Sequence, residues 1–209
     1  MPKFLLLASL CCQLLAAELP LGPEAASPAK VGDRPAADSP VLVRTPDGKT
    51  VDVQEWVTEN PTILIFYRGG WCPYCNTHMG ELAAIEDELV ELGYTLLAVS
   101  PERTETLESF QKENEIPDSI VLLSDRDGEA ARALGVAYQM LPENQQRYIE
   151  YGLDLASIDG DESRRWLPVP SAFVFDAAGT ITFAFSNADY TVRIDPADLI
   201  AAAKRSLAP

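Results

Sequence analysis

The sequence predicts an α/β domain: a mixed central sheet with helices on both faces and a β-hairpin at its N-terminal end. Three observations predict it. Apolar runs of strand length alternate with amphipathic stretches of helix length through the first half of the chain. A second hairpin and a closing helix then replace the alternation, which makes the sheet mixed rather than purely parallel. The 209 residues, 47% of them apolar, suffice to bury one full core.

The elements follow in order. Val41-Leu42-Val43 and Val51-Asp52-Val53 flank Thr45-Pro46-Asp47-Gly48, a hairpin turning at Pro-Asp-Gly. Residues 62–67 (Thr-Ile-Leu-Ile-Phe-Tyr) form a continuous apolar run fit for a central strand buried on both faces. One helix is expected over 73–92, with Met79, Leu82, Ile85, Leu89 and Leu92 at helical spacing and Gly93 ending it. Strands at 94–99 and 120–123 and helices at 101–114 and 128–134 continue the pattern. Strands at 171–175 and 180–185 enclose the turn Asp176-Ala177-Ala178-Gly179, and a helix over 196–207 closes the chain. Residues 136–168 break this rhythm and carry Tyr138, Tyr148, Tyr151 and Trp166 among polar residues. An insertion of this length is often functional; a substrate lid, a dimer contact and a packed excursion all remain open.

The chain begins with Lys3, an apolar run over 4–15 and Leu15-Ala16-Ala17. That is the layout of a secretory signal over 1–17. The run is too short to span a bilayer. Leu10 and Cys11 precede Cys11 and Cys12 where a lipidation site takes a small residue, so no lipid anchor is expected. Residues 18–40, rich in Pro, Ala and acidic side chains, read as a flexible leader to a domain at 41–209. The expected destination is export, to a periplasm or beyond the cell, with no membrane span left in the mature chain. A formal charge of −16 repels phosphate backbones and anionic lipid, so nucleic acid is not an expected partner.

Of four cysteines, two would leave with the signal. The remaining pair stands in Trp71-Cys72-Pro73-Tyr74-Cys75. A structural disulfide gains little from so short a loop, so reactivity explains the pair better than stapling. Cys72 falls just after a buried strand and at a helix start, where free N–H groups and the helix dipole favour a thiolate. Such placement lowers a thiol from about 8.5 to roughly 3.5–7.5. Pro73 suits the first helical position. Cys72 is therefore the attacking sulfur, and Cys75, one turn in, resolves the product. No cofactor or metal is expected: Cys72, Cys75 and His78 fall short of the four ligands of a zinc site. Asn76 excludes haem attachment through Cys-x-x-Cys-His. Copper handling is a lesser alternative. His78, the one histidine, is expected on an exposed helix face. A non-catalytic binding module, which would not need both cysteines, is the third class considered.

Three stretches carry a family resemblance: Phe66-Tyr67-Arg68-Gly69-Gly70-Trp71-Cys72-Pro73-Tyr74-Cys75; Leu122-Leu123-Ser124-Asp125 with Asp127-Gly128 and Gly135-Val136; and Val169-Pro170-Ser171-Ala172-Phe173-Val174-Phe175-Asp176. Over about residues 40–206 the chain resembles the thioredoxin-like superfamily, in its peroxiredoxin-like (AhpC/TSA, redoxin) branch. Cys-Pro-Tyr-Cys is also the glutaredoxin tetrapeptide. The resemblance implies a three-layer thioredoxin-like fold and an antioxidant role. It also implies a cis Val169–Pro170 bond facing the reactive sulfur and presenting backbone to a substrate chain. Trp71, Pro73, Tyr74, Val169 and Pro170 are thus the candidate substrate contacts. Two positions depart from the peroxiredoxin pattern. Gly69 stands where a hydroxyl residue is usual, three before the attacking cysteine, and Pro170 where an arginine is usual. Arg68 and Arg126 are the charges available to stand in, each otherwise a surface arginine. The leading expectation is thiol–disulfide exchange on a disulfide-bearing protein. The alternative is reduction of hydrogen peroxide or organic hydroperoxides. Both need a thiol reductant for recycling.

Overall fold

The computed structural model describes residues 18–34 and 40–207; the expected signal at 1–17 lies outside them. The strands are β1 (Leu42–Arg44), β2 (Thr50–Asp52), β3 (Thr62–Phe66), β4 (Thr95–Ser100), β5 (Ile120–Ser124), β6 (Ala137–Gln139), β7 (Ser157–Ile158), β8 (Asp161–Pro168), β9 (Ser171–Phe175) and β10 (Ile181–Ser186). The helices are α1 (Val53–Glu59), α2 (Pro73–Ala83), α3 (Glu86–Glu91), α4 (Thr104–Glu113), α5 (Glu129–Ala133), α6 (Pro142–Glu150) and α7 (Pro196–Ser206). The main sheet runs β10-β9-β3-β4-β5-β1-β2. Strands β3, β4 and β5 are parallel, while β9 and β10 on one side and β1 on the other run antiparallel to their neighbours. This is the mixed sheet with an N-terminal hairpin that the sequence predicts.

Every residue of β3 is buried, as its unbroken apolar run requires. The strand period splits the core in two. Ile63, Ile65 and Tyr67 face Met79, Leu82, Leu89, Leu107 and Leu199, so α2, α3, α4 and α7 cover one side. Leu64 and Phe66 face Val57, Ala130, Leu134 and Trp166, so α1, α5 and the inserted segment cover the other.

Three local expectations change, and one open segment gains a structure. The strand expected to run through Val53 gives way to α1. The Asp52 side chain caps that helix by accepting from Gln54 N at 2.9 Å, and it also accepts from Val41 N at 2.8 Å. The single helix over 73–92 is two helices, broken at Ala84–Ile85. Glu86, Asp87 and Glu88 occupy the first turn of α3, and three consecutive carboxylates favour a helix start there over a helix interior. The 136–168 segment, whose role the sequence left open, holds elements of its own: β6, β8 and β7 form a second small sheet, with α6 beside it.

The third change concerns the leader. Residues 18–34 are not a loose tether; they lie along the domain and are bonded to it through backbone. Gly22 N donates to Gln139 O at 2.9 Å, Ala29 N to Leu134 O at 2.9 Å and Gly32 N to Ile181 O at 2.8 Å. Its prolines lack donors, but the residues between them supply enough to pair with strand ends and turns. Gly135, at φ +66°, sits directly beneath the Ser27 carbonyl, and a Cβ would overlap that oxygen. Gly135→Ala is therefore expected to destabilise the protein by more than about 1 kcal/mol, through both the left-handed backbone and the lost strap contact. Urea denaturation checks this; an unchanged midpoint would mean that the strap contributes nothing.

Candidate active site

The site forms where β3 ends. Register pairs Phe66 with Val99 of β4 and with Ser171 of β9. Tyr67 extends the strand by donating its N–H to Val99 O at 3.0 Å. The chain then turns through Arg68, Gly69, Gly70 and Trp71 into α2. Gly69 has φ +142°, and a Cβ there would collide with the Trp71 indole. The hydroxyl residue usual at this position in the peroxiredoxin pattern therefore has no room in this loop. Gly70 N donates to the buried Glu102 carboxylate at 2.9 Å, which fixes the turn.

Cys72 is the N-cap of α2 and Pro73 its first residue, as their order in the sequence demands. Cys72 O accepts from Cys75 N at 2.9 Å and Asn76 N at 3.1 Å. Both cysteines are free thiols, and both are buried. The Cys75 side chain hydrogen-bonds the Cys72 sulfur, and that bond is the largest cause lowering the Cys72 thiol to about 5. Burial opposes the shift; the Cys75 backbone N–H and the Arg68 and Arg193 guanidiniums add to it. The same sharing of one proton, with burial, pushes Cys75 upward. At neutral pH the pair is one thiolate, on Cys72, and one thiol, on Cys75.

Arg68 departs from the expectation of a surface arginine: it is 3% exposed. Its Nη1 lies 3.9 Å from the Cys72 sulfur, and its Nη2 donates to Tyr148 Oη at 2.7 Å. The guanidinium is caged by aromatic rings, 4.1 Å from the Tyr190 centroid, 5.0 Å from Trp71 and 5.4 Å from Tyr148. Tyr148 comes from α6 and Tyr190 from the loop after β10. A cavity of about 150 Å³ reaches Arg68 between Tyr138, Met140, Arg147, Tyr148 and Tyr190. Arg126 goes elsewhere. Its guanidinium bonds Asp154 at 2.7 Å and the Pro101 and Leu155 carbonyls at 3.1 and 3.2 Å, pinning the segment before β7.

Two more expectations fail. All peptide bonds among the described residues are trans, Val169–Pro170 included. The backbone expected to meet a substrate chain is already paired: Val169 N donates to Val136 O at 2.8 Å, and Pro170 O accepts from Asn187 N at 3.3 Å. The start of the inserted segment and the loop after β10 thus occupy the backbone that a substrate strand would use. His78 is buried rather than exposed, one turn beyond Cys75 on the same face of α2. Burial, then the Arg193 charge, push it down to about 4, so it is neutral at physiological pH. No group of three or more metal-binding side chains occurs among the described residues. Of the flanking candidates, Trp71 packs edge-on to Tyr148, while Tyr74 is half-exposed and meets Tyr190; Pro73 is exposed beside them.

Sequence reasoning missed Tyr148, Tyr190 and Arg193. Arg193 Nη2 lies 3.3 Å from the Cys75 sulfur. Tyr148 stood out only as one aromatic of the 136–168 segment, with no role at the sulfur pair. For Tyr190 and Arg193 the signal was an arginine and a tyrosine three apart in a loop following a strand, which is too common to single out.

A model of the AhpC/TSA family matches residues 34–184. No curated protein sequence matches significantly. Several solved structures share the fold. One is the peroxidoxin BcpB of Mycobacterium tuberculosis (18% identity, 86% of this chain and 99% of that one, TM-score 0.61). A second is the bacterioferritin comigratory protein of Xanthomonas campestris (17%, 85% and 98%, 0.62). A third is reduced Prx3 of Vibrio vulnificus in complex with hydrogen peroxide (16%, 84% and 99%, 0.63). With a family model spanning most of its length and a thioredoxin-like peroxiredoxin fold around the sulfur pair, the chain belongs to the AhpC/TSA family and is a thiol-dependent oxidoreductase.

Proposed function

We propose that the protein is a thiol peroxidase in which Cys72 attacks and Cys75 resolves. The thiolate of Cys72 attacks the terminal oxygen of a hydroperoxide, the O–O bond breaks, and ROH leaves after taking up a proton. Cys72 becomes a sulfenic acid. Cys75 attacks that sulfur, water leaves, and a disulfide joins the two. Two thiols of a reductant restore the pair and are themselves oxidised to a disulfide.

The observation that carries this reading is the guanidinium of Arg68 beside the Cys72 sulfur, at 3.9 Å. It supplies, from the same loop, the charge that the family pattern takes from the position of Pro170. The structurally similar Xanthomonas protein was studied for alkyl peroxide reduction, and the Vibrio one is in complex with hydrogen peroxide. Both support a small peroxide as substrate here. Disulfide exchange with a protein, the leading expectation from sequence, is second. Its support is the Cys-Pro-Tyr-Cys motif at a helix start, but the Val169–Pro170 backbone it would use is occupied. Export of the mature chain is also part of the proposal, and rests on the signal-like pattern at 1–17.

Stopped-flow fluorescence separates the two activities, since Trp71 adjoins Cys72. Reduced protein is mixed with hydrogen peroxide, an organic hydroperoxide, or a small-molecule or protein disulfide. Rapid, saturable oxidation by peroxide is expected. Reaction with peroxide no faster than an ordinary free thiol, alongside fast reaction with disulfides, would reverse the order.

A further inference from the structure

We infer that Arg193 is a catalytic residue of the second half-reaction: its guanidinium, which donates to the Cys75 sulfur, stabilises that sulfur as the thiolate that closes the disulfide. The inference rests on Cys72 and Cys75 being a reacting pair, and it holds for attack on a sulfenic acid or on a mixed disulfide alike.

The geometry divides the two guanidiniums between the two sulfurs. Arg68 reaches Cys72 at 3.9 Å, and Arg193 reaches Cys75 at 3.3 Å. Arg193 is held in place by its own loop. Its Nη1 donates to the Tyr190 and Val192 carbonyls. The loop is closed by Asp189, whose carboxylate accepts from Thr191 N at 2.9 Å. Contact between Tyr74 and Tyr190, with ring centroids 5.9 Å apart, ties the loop to the motif itself.

The chemistry needs such a group. In the reduced pair Cys75 carries the proton and donates it toward the Cys72 sulfur, and it is held as a thiol by that bond, by burial and by the neighbouring thiolate. Oxidation of Cys72 to a sulfenic acid removes that negative charge. Cys75 must then give up its proton inside the core, where an uncompensated thiolate is costly. The groups facing it are Cys72, Tyr67 at the end of β3, His78 one turn on, the Arg68 backbone N–H and Arg193. Tyr67 and His78 are neutral at physiological pH, because burial raises the first and lowers the second. Asp189, on Arg193's own loop, is the acidic group near that guanidinium. Arg193 is thus the full positive charge in contact with the Cys75 sulfur. The step balances as Cys75–SH plus Cys72–SOH giving the disulfide plus water. The Cys75 sulfur bonds to the Cys72 sulfur, the S–O bond breaks, and the hydroxide leaves with the proton from Cys75.

The test isolates Cys75. In the full chain with Cys11, Cys12 and Cys72 replaced by serine, the Cys75 thiolate is titrated by its ultraviolet absorbance. Adding Arg193→Met is expected to raise the midpoint by about 1 unit or more, as loss of an adjacent opposite charge does. Arg193→Lys is expected to restore part of the shift. With Cys72 present, Arg193→Met should slow disulfide closure about tenfold, so that dimedone traps a sulfenic acid the parent passes through too fast to capture. A midpoint equal to the parent's in the Met variant overturns the inference; if that variant does not fold, Arg193→Gln carries the same test. An inert wild type toward peroxide would sink the peroxidase reading while leaving the titration readable, so the two failures are distinct.

Discussion

Given one equivalent of hydrogen peroxide and no reductant, the parent protein is expected to end as a Cys72–Cys75 disulfide with no added oxygen. Cys75→Ser is expected to end with one oxygen on Cys72, trapped by dimedone, and to move on to the irreversible sulfinic acid with further peroxide. Cys72→Ser should consume peroxide no faster than background. The asymmetry follows from the proton shared by the pair. Cys75 lowers Cys72 to about 5 chiefly by donating a hydrogen bond to it. Serine keeps a donor at position 75, so the first step survives, slowed rather than lost. Serine cannot be the second sulfur, and Cys72 and Cys75 are the free cysteines of the described residues. Intact-mass measurement, with Cys11 and Cys12 replaced throughout, checks all three outcomes. A parent that gains oxygen, or a Cys75→Ser variant that gives the parent's product, would falsify the assignment of resolver.

The sequence made the scaffold legible wherever a local pattern had a single physical solution. Residues 62–67 are apolar without interruption, and nothing but a strand buried on both sides suits that run between turns; β3 is that strand. The placement of Cys72 at a helix start was legible because Pro73 follows it and a buried strand precedes it; Cys72 is the N-cap of α2. The Asp52-x-x-Glu55 pattern at the head of α1 is a capping signal that the reading of Val51-Asp52-Val53 as a strand leaves unused.

What could not be read depends on partners far away in the chain. A lone arginine in a loop reads as surface because burying its charge is costly. Arg68 is buried only because Tyr148, 80 residues on, accepts from its guanidinium, and three rings from separate segments surround it. The same holds for Val169–Pro170. Their local sequence invites a substrate strand, and only Val136 and Asn187 reveal that the backbone is taken. Residues 18–34 have the composition of a linker, yet they pair because β6, α5 and β10 leave backbone groups facing them. In each case the expectation failed because the outcome was decided by a segment whose position no local pattern encodes.

The caged arginine gives the second large effect. Arg68→Met is expected to lower the second-order rate with hydrogen peroxide by about 10²–10³, the scale seen when a donor at developing negative charge is removed. Two contributions make up this loss, and pH separates them. In the parent, with Cys72 near 5, the thiolate is fully formed above about pH 6 and the rate is flat there. Below that it falls as the sulfur is protonated. Removing the guanidinium raises the thiol, since a positive neighbour favours the charged form. The hydrogen bond from Cys75, the larger cause, remains. The midpoint should therefore move up by about 1 unit only, and the flat region of the profile should begin at correspondingly higher pH. At pH 8 both proteins are thiolates, so the loss that persists there measures stabilisation of the departing oxygen rather than activation of the sulfur. Arg68→Lys should recover the midpoint more fully than the plateau, because an ammonium supplies charge without the planar fork held by Tyr148 and stacked on Tyr190. A plateau in Arg68→Met equal to the parent's, with only the midpoint displaced, would show that the guanidinium serves the thiolate alone and that the peroxide is polarised by another group.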